Sequence, residues 1–472
     1  MVLFRSVGSQ SEVVPIFKAK SHCDPLNYRP VSLTSVCCKV MEKMVVAELM
    51  GYLETNNILS PEQYGFRRSR STEDQLLLTY NELSMWFDEG LVVDLALLDY
   101  SKAFDVVHHL ILLLMLQSLG VSGRLLEWIA AFLSNRVMRV CVDGATSDQV
   151  PVTSGVPQGS VLGPILFLVY INHVSSGLQC GYKAFADDYK LYVKYSLKQE
   201  KCVLNGASSL QRSLDRIDLV SRSWNLRLNP DKCVVMRFAR GRRHNQVHPC
   251  EYYLQGAQLR CVNVHRDLGV MVDTTLRFHD HVRVSVQKAG GLANNMLRST
   301  VCQCPDFMTT LFVTHIRPLI DYASCVWNTG YLEDSRLLES VQRRWTKKIS
   351  GLEDRPYGER LRELQLFSIK GRLLRADLIK YWKILSDQLE NMSDLFMLAP
   401  AARTRGHHLK LTLPRWSSDA CRRFFSVRCV NIWNRLPSHI VQANSIGSFE
   451  QALVIDYMNM ISGCSSVVTQ CS

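Results

Sequence analysis

The 472-residue chain carries sixteen cysteines but no C-x-x-C pair anywhere. Cys37 and Cys38 adjoin, and Cys302 and Cys304 are one residue apart. Neither spacing suits a structural zinc site, whose ligands come in pairs about two to four residues apart. His244, His248 and Cys250 make a loose set that reads better as a polar loop containing histidines. Long apolar runs are missing too. The densest, Leu110–Leu116, is far short of the ~18 residues a membrane helix needs, so no membrane partner is expected. The N-terminus "MVLFRSVGSQ" has a brief apolar patch and no cleavage-site pattern. Secretion is therefore not expected. The reading is a chain of the nucleus or cytoplasm with reduced cysteines buried in cores. There is no internal repeat and no long low-complexity linker. With 47% hydrophobic residues, a disordered tail protein is excluded.

What is present begins with charge. Lys and Arg number 55 against 43 Asp and Glu, a net +12. The excess is unevenly placed: residues 1–90 sum to −2, 91–200 to −1, and 201–472 to +15. A basic C-terminal part favours an acidic polymer as partner, nucleic acid before anionic membrane. Ordinary solvated helix faces would account for any single residue of it.

The coarse order of elements is strand, helix, hairpin, helix, hairpin, helix, strand, followed by helices after about residue 285. "EVVPIFKAK" reads as a strand, Lys39–Asn56 as a helix, and Thr72 with Glu73 and Asp74 as a helix start. "LVVDLALLDY" reads as a buried strand, and residues 102–119 as a helix. "MRVCVDG" and "SDQVPVTSG" alternate like a hairpin, and "YKAFADDYKLYV" like two strands joined at Asp187–Asp188. Helical periodicity covers 207–227. Leu337, Leu338, Val341, Trp345 and Ile349 share one helix face, with Arg343 and Arg344 mostly off it. Together these describe an α+β chain with helices against an antiparallel sheet.

Three carboxylates sit where a strand normally avoids charge: Asp99 after an apolar run, and Asp187–Asp188 between "KAFA" and "YKLYV". At a hairpin tip two neighbouring carboxylates can converge, and a third joins them if the strand ending at Asp99 lies alongside. Such a cluster needs cations or a raised pKa. Hard oxygen ligands suit Mg²⁺, and two ions stabilise both the attacking and leaving oxygens of an in-line displacement. Against this stand plainer readings, in which Asp99 or Ser101 caps a helix from Lys102 and the aspartate pair is only a turn. The loop "SGVPQGSVLGP", Ser154–Pro164, adds three glycines and a helix N-terminus that could face an anion.

"LDYSKAFD", "SGVPQGSVLGP" and "FADD", in this order and spacing, resemble the motifs of reverse transcriptases of non-LTR (LINE-type) retrotransposons, jockey-like elements above all. Upstream, "VVPIFKAKSHCDPLNYRPVSLTSVCCKVMEKMV" and "SPEQYGFRRSRSTEDQLLL" are similar to the family's fingers motifs. Downstream, "LNPDKCVVM" and "RDLGVMVDTTLRFHDHV" are similar to its later palm motifs. "IRPLIDYASCVWN", "LESVQRRWTKKISGL" and "IWNRLPSHIVQANSIGSFEQAL" are similar to its thumb and C-terminal region.

The resemblance implies a right-hand polymerase. Its parts would be fingers at 1–90, a palm of antiparallel sheet plus helices at 91–285, a helical thumb at 286–400 and a C-terminal region at 401–472. It implies an RNA-directed DNA polymerase that joins dNTPs to a primer 3′-hydroxyl with two Mg²⁺ ions, or Mn²⁺ as substitute. Asp99, Asp187 and Asp188 match the metal-binding aspartates, and Lys232 a lysine that protonates pyrophosphate. Phe104, five residues after Asp99, matches the gate against a ribose 2′-OH. Gln158 and Gly159 match the loop against nucleotide and template. Arg67, Arg68 and Arg70 cover the positions expected to hold triphosphate. Arg29 is expected on the template, Leu268 and Gly269 on the primer end, and Arg343 and Arg344 on nucleic-acid backbone. The partners implied are an RNA template, a DNA primer and dNTPs.

Two features depart from a whole element. Only about a dozen residues precede the first fingers motif, so an endonuclease would have to be supplied separately, and no zinc knuckle or ribonuclease H pattern follows the thumb. A non-catalytic remnant or co-opted nucleic-acid-binding protein is the alternative from another class. An intron-maturase-like enzyme is weaker, because "WNRLP" and "FEQAL" point away from it.

Overall fold

A computed structural model describes residues 10–18, 21–198, 200–240, 251–386, 389–400 and 406–458. The histidine- and cysteine-bearing stretch at His244, His248 and Cys250 lies outside them.

Strands β1 (Gln10–Phe17) and β2 (Tyr28–Leu33) open the chain, followed by helices α1 (Val36–Thr55) and α2 (Thr72–Asp88). Ser71 caps α2, its hydroxyl accepting from the Asp74 amide at 3.1 Å, with Glu73 and Asp74 in the positive first turn. Next come β3 (Val92–Leu98), α3 (His109–Ser118), α4 (Gly123–Leu133), β4 (Val137–Val142), β5 (Ala145–Thr146) and β6 (Val150–Pro151). Then follow α5 (Gly163–Ile171), β7 (Gly181–Phe185), β8 (Asp188–Tyr195), α6 (Glu200–Ser223) and β9 (Val234–Phe238). Short strands β10 (Tyr253–Leu254), β11 (Ala257–Gln258), β12 (Arg260–Cys261), β13 (Val264–Asp267) and β14 (Val270–Asp273) precede α7 (His279–Ser299). From there to the end of the described residues the chain is helical and irregular.

The central sheet runs β12-β9-β3-β8-β7, antiparallel except for the β12–β9 pair. Strand β3 lies in its middle and all seven residues are buried. That explains its near-continuous apolar run: both faces are covered, so alternation disappears. One face, with Ala96, Tyr189 and Leu191, packs on α3 to α6. The other, with Leu95, Leu97 and Met236, packs on α2, the β13–β14 hairpin, α7 and the C-terminal helices. Asp94 projects into the first of these cores. It is fully buried and held by Arg237 (2.6 and 2.9 Å), Tyr195 (2.9 Å) and Tyr252 (2.7 Å). Arg237 stands opposite it in the β3–β9 register.

A second sheet joins β2-β1-β4-β5, with β6 also on β4, and β1 and β4 run parallel. It therefore draws strands from both sides of residue 90. The helix expected from residue 102 starts only at His109. The backbone before it is spent elsewhere: Phe104 O and Val107 O accept from the amides of Val156 and Gly155 at 2.9 and 2.8 Å. The Ser154–Gly159 loop thus outcompetes the first helical turns. Among the described residues, no helix is long and apolar enough to cross a membrane.

Candidate active site

Asp99 follows β3 directly. Its carbonyl accepts from the Asn229 amide at 2.9 Å, and Ser101 N donates to Arg227 O at 2.8 Å, so residues 227–229 extend the sheet beside it. A Pro230 turn, closed by Lys232 N to Asn229 O at 3.1 Å, then delivers Lys232, whose Nζ stands 3.4 Å from Asp99 Oδ1. Next to β3 in the sheet is β8, and the β7–β8 turn carries the aspartate pair. Phe185 pairs with Asp188, so the turn is Ala186–Asp187, one residue earlier than the sequence pattern suggests, and Ala186 adopts a left-handed φ of 54°.

The charge of Asp99 reaches both members of the pair. The Asp187 carboxyl is held above its ordinary value by loss of water contact and by the charge of Asp99, while Arg29 and Lys18 pull it down. Asp188 is open to solvent on one side, yet protein crowds its carboxyl. That desolvation, then the charges of Asp187, Asp267 and Asp99, push it up to about 7. Hard oxygen donors in mutual repulsion fit a divalent cation. The cage is not preassembled: among the described residues no three His, Cys, Asp or Glu side chains converge as a ligand set.

Phe104 stacks on Phe167 with ring centroids 4.0 Å apart, and Phe66 stands edge-on to it at 6.0 Å. Gln158 Nε2 donates to Asp105 Oδ1 at 2.8 Å, and its carbonyl accepts from Ser32 N at 2.6 Å. Gly159, at φ 114°, lies so near β2 that a Cβ would fall 2.5 Å from Ser32 O, so only glycine fits there. The guanidiniums of Arg67, Arg68 and Arg70 divide. Arg67 pairs with Glu54 and donates to Ser60 O at 2.7 Å. Arg70 donates to Pro61 O and Gln63 O and lies over the Tyr64 ring. Arg68 is exposed. Arg29 is exposed on β2, opposite Ile16 of β1, and its charge reaches Asp187.

Leu268 and Gly269 form the two-residue β13–β14 turn, with φ of 40° and 91°, as a type I′ geometry requires. The hydroxyl of Tyr322 donates to Leu268 O at 2.7 Å. Arg343 and Arg344 are exposed near the end of helix Leu332–Thr346, Arg343 stacked on the Tyr357 ring at 4.4 Å.

A family model described as reverse transcriptase (RNA-dependent DNA polymerase) matches residues 18–258, just over half the chain. The chain belongs to the reverse transcriptase family. Its α+β architecture is that of a right-hand polymerase. It is 29% identical over 296 residues to the RNA-directed DNA polymerase from mobile element jockey of Drosophila melanogaster, covering 61% of this chain and 31% of that protein. To the jockey polymerase of Drosophila funebris it is 26% identical, over 77% of this chain and 39% of that one. The probable polymerase from transposon X-element of Drosophila melanogaster gives 26%, over 71% and 37%. The chain thus spans about a third of the length of these curated relatives. A solved telomerase from Candida albicans, in complex with a fragment of telomeric RNA, superposes with a TM-score of 0.41 at 13% identity, over 76% of this chain and 66% of that one.

Sequence reasoning missed the support behind this reverse transcriptase's aspartates. Lys190, two residues after Asp188 on the same face of β8, is 1% exposed. Its ammonium meets Asp267 at 2.6 Å and Gln75 Oε1 at 2.5 Å, and Tyr80 donates to Asp267 at 2.6 Å. Burial presses the Lys190 pKa down and Asp267 presses it back. A lysine at that period in an apolar strand was the available signal.

Proposed function

We propose that this chain is the polymerase core of a non-LTR retrotransposon, extending a primer 3′-hydroxyl with dNTPs along an RNA template. One observation carries the reading: in a chain of this family, the turn bearing Asp187 and Asp188 lies beside the strand end that carries Asp99, close enough for the Asp99 charge to reach both carboxyls. Asp99, Asp187 and Asp188 would hold Mg²⁺, two ions in this reading with Mn²⁺ as substitute, which when bound neutralises the triphosphate and acidifies the primer hydroxyl.

The chain's own residues take the remaining roles. Lys232, 3.4 Å from Asp99, gives a proton to the departing pyrophosphate. Phe104, backed by Phe167, crowds a 2′-hydroxyl and selects deoxynucleotides. Arg68 takes the triphosphate, because Arg67 and Arg70 are spent on Glu54 and on the 61–63 backbone. Gln158 and Gly159 form a stiff floor for nucleotide and template. Arg29 meets the template, Leu268 and Gly269 the primer end, and Arg343 and Arg344 the duplex backbone.

Primer extension on an RNA template with Mg²⁺ tests the reading, with Asp187→Asn as control. Template-dependent DNA from the wild type and none from the variant is expected. Folded wild-type protein that makes no DNA would leave the second reading, a nucleic-acid-binding chain without catalysis. The net +15 of residues 201–472 is what favours that reading.

A further inference from the structure

The turn that presents Asp187 is held by a side chain from outside its own hairpin. Residues 62–64 run beside β7, the edge strand of the central sheet: Ala184 N donates to Glu62 O at 2.9 Å and Tyr64 N to Ala184 O at 2.8 Å. A Lys183–Glu62 ion pair at 2.7 Å fastens the same strip. This pairing aims Gln63, only 4% exposed, at Ala186. Gln63 Oε1 accepts from Ala186 N at 2.7 Å and from Gly65 N at 2.9 Å, while Nε2 donates to Ala186 O at 3.1 Å. One amide therefore reads both backbone poles of the residue before Asp187.

That residue needs holding. Ala186 has the left-handed φ that an L side chain adopts at a cost, and nothing in its own composition favours it. The approach of the strip is equally particular. A Cβ on Gly65 would fall 2.3 Å from Ala186 N, so glycine is required for the strip to close on the turn. Only glutamine serves at position 63. Asparagine is one methylene too short, glutamate lacks the donor, and methionine lacks both groups.

We propose that Gln63 is a positioning residue of the polymerase, fixing the Ala186 peptide so that the Asp187 carboxylate faces Asp99. The inference rests on the polymerase reading for its kinetic consequence and on geometry alone for its structural one. It also joins two parts of the site. The strip continues directly into Phe66 and Arg68, so the loop that meets the nucleotide and the turn that carries the carboxylates are set by one clamp.

Hydrogen exchange on the metal-free full chain, followed by primer extension, tests this. In Gln63→Met, the amides of Gly65 and Ala186 should exchange at least about tenfold faster while the rest of the palm keeps its protection. The kcat should fall on the order of 10–100-fold with the dNTP KM within about threefold, because misplacing a reacting group penalises the chemical step rather than binding. Gln63→Glu keeps the acceptor toward both amides but loses the donor to Ala186 O and sets a carboxylate oxygen against that carbonyl. It should therefore also speed exchange at Gly65 and Ala186, by less than the methionine does, and it decides the matter if the methionine variant fails to fold. Wild-type exchange at Gly65 and Ala186 in the substituted protein would overturn the proposal. So would slowed synthesis accompanied by loss of protection throughout the palm, which marks a packing residue only. If the wild type itself makes no DNA, the polymerase reading falls, while the exchange measurement still decides whether Gln63 sets the turn.

Discussion

Phe104 is half-buried, with one face stacked on Phe167 and its edge toward Phe66. Truncating it removes part of an aromatic cluster as well as the proposed gate. Phe104→Ala should admit ribonucleotides in primer extension and cost about 2 kcal/mol in denaturant unfolding. Unchanged sugar discrimination would remove the gate assignment and leave a packing role. A different single residue sets a pH response. His281 is buried behind the β13–β14 hairpin, its Nδ1 accepting from Met271 N at 3.2 Å. Desolvation, then the charges of Arg266 and Lys288, push it down to about 4. The folded state thus keeps His281 neutral where the unfolded chain, with an ordinary value of 6.5, takes up a proton. Stability is full above about pH 6.5 and declines as pH falls toward 4, by at most about 3 kcal/mol from this group. His281→Gln should flatten the unfolding free energy across that window. A wild-type pH profile in the variant would assign the acid sensitivity elsewhere.

Among the elements, β8 does two jobs. Its first residue, Asp188, belongs to the acidic cluster, and its third, Lys190, ties the strand to Asp267 at the base of the Leu268–Gly269 turn. The side chains of Gln75 and Tyr80 on α2 close the network. A buried pair of this kind adds little net stability, but removing one partner strands the other. Lys190→Met should therefore destabilise by about 3–5 kcal/mol in chemical unfolding, and adding Asp267→Asn should recover part of that loss. Strict additivity of the two would mean that the residues are not coupled. The elements also show where sequence reading reached and where it stopped. A continuous apolar run marked β3, the Thr72–Asp74 start signal marked α2, and a 3.6-residue period marked the helix around Trp345, because burial and capping dictate them locally. The late start of α3 was illegible, because the Gly155 and Val156 amides that compete for its first carbonyls lie some fifty residues away. So was Gln63, and Lys190 showed only its period in an apolar strand, because the partners of both come from other elements. Asp99, Asp187 and Asp188 were legible because charge beside apolar strands breaks the local rule.

At the scale of the whole molecule, the C-terminal region is bound to the same α2 that packs on the central sheet. Lys380 pairs with Glu73 and Asp74, Asp88 receives the Ser417 and Ser418 amides, and Ser426 donates to Asn81 at 2.6 Å. Trp382, Trp433 and Phe449 share one core with Leu76, Leu95 and Met236. The helices after residue 285 are therefore fixed, through α2, against the sheet whose strand ends carry the carboxylates, and the sequence excess of +15 lies within residues 201–472. Arg343 and Arg344 test whether that excess meets nucleic acid, since both are exposed on the buried-striped helix Leu332–Thr346. Each phosphate contact releases counterions and contributes about 0.7–0.9 to the slope of log K against log salt. Replacing both by Gln should weaken primer–template binding at low salt and reduce that slope by about 1.4–1.8. Because Arg343 also stacks on Tyr357, the melting temperature of the variant separates lost packing from lost phosphate contact. An unaltered salt slope with unaltered melting would move the backbone contact to another part of the basic half.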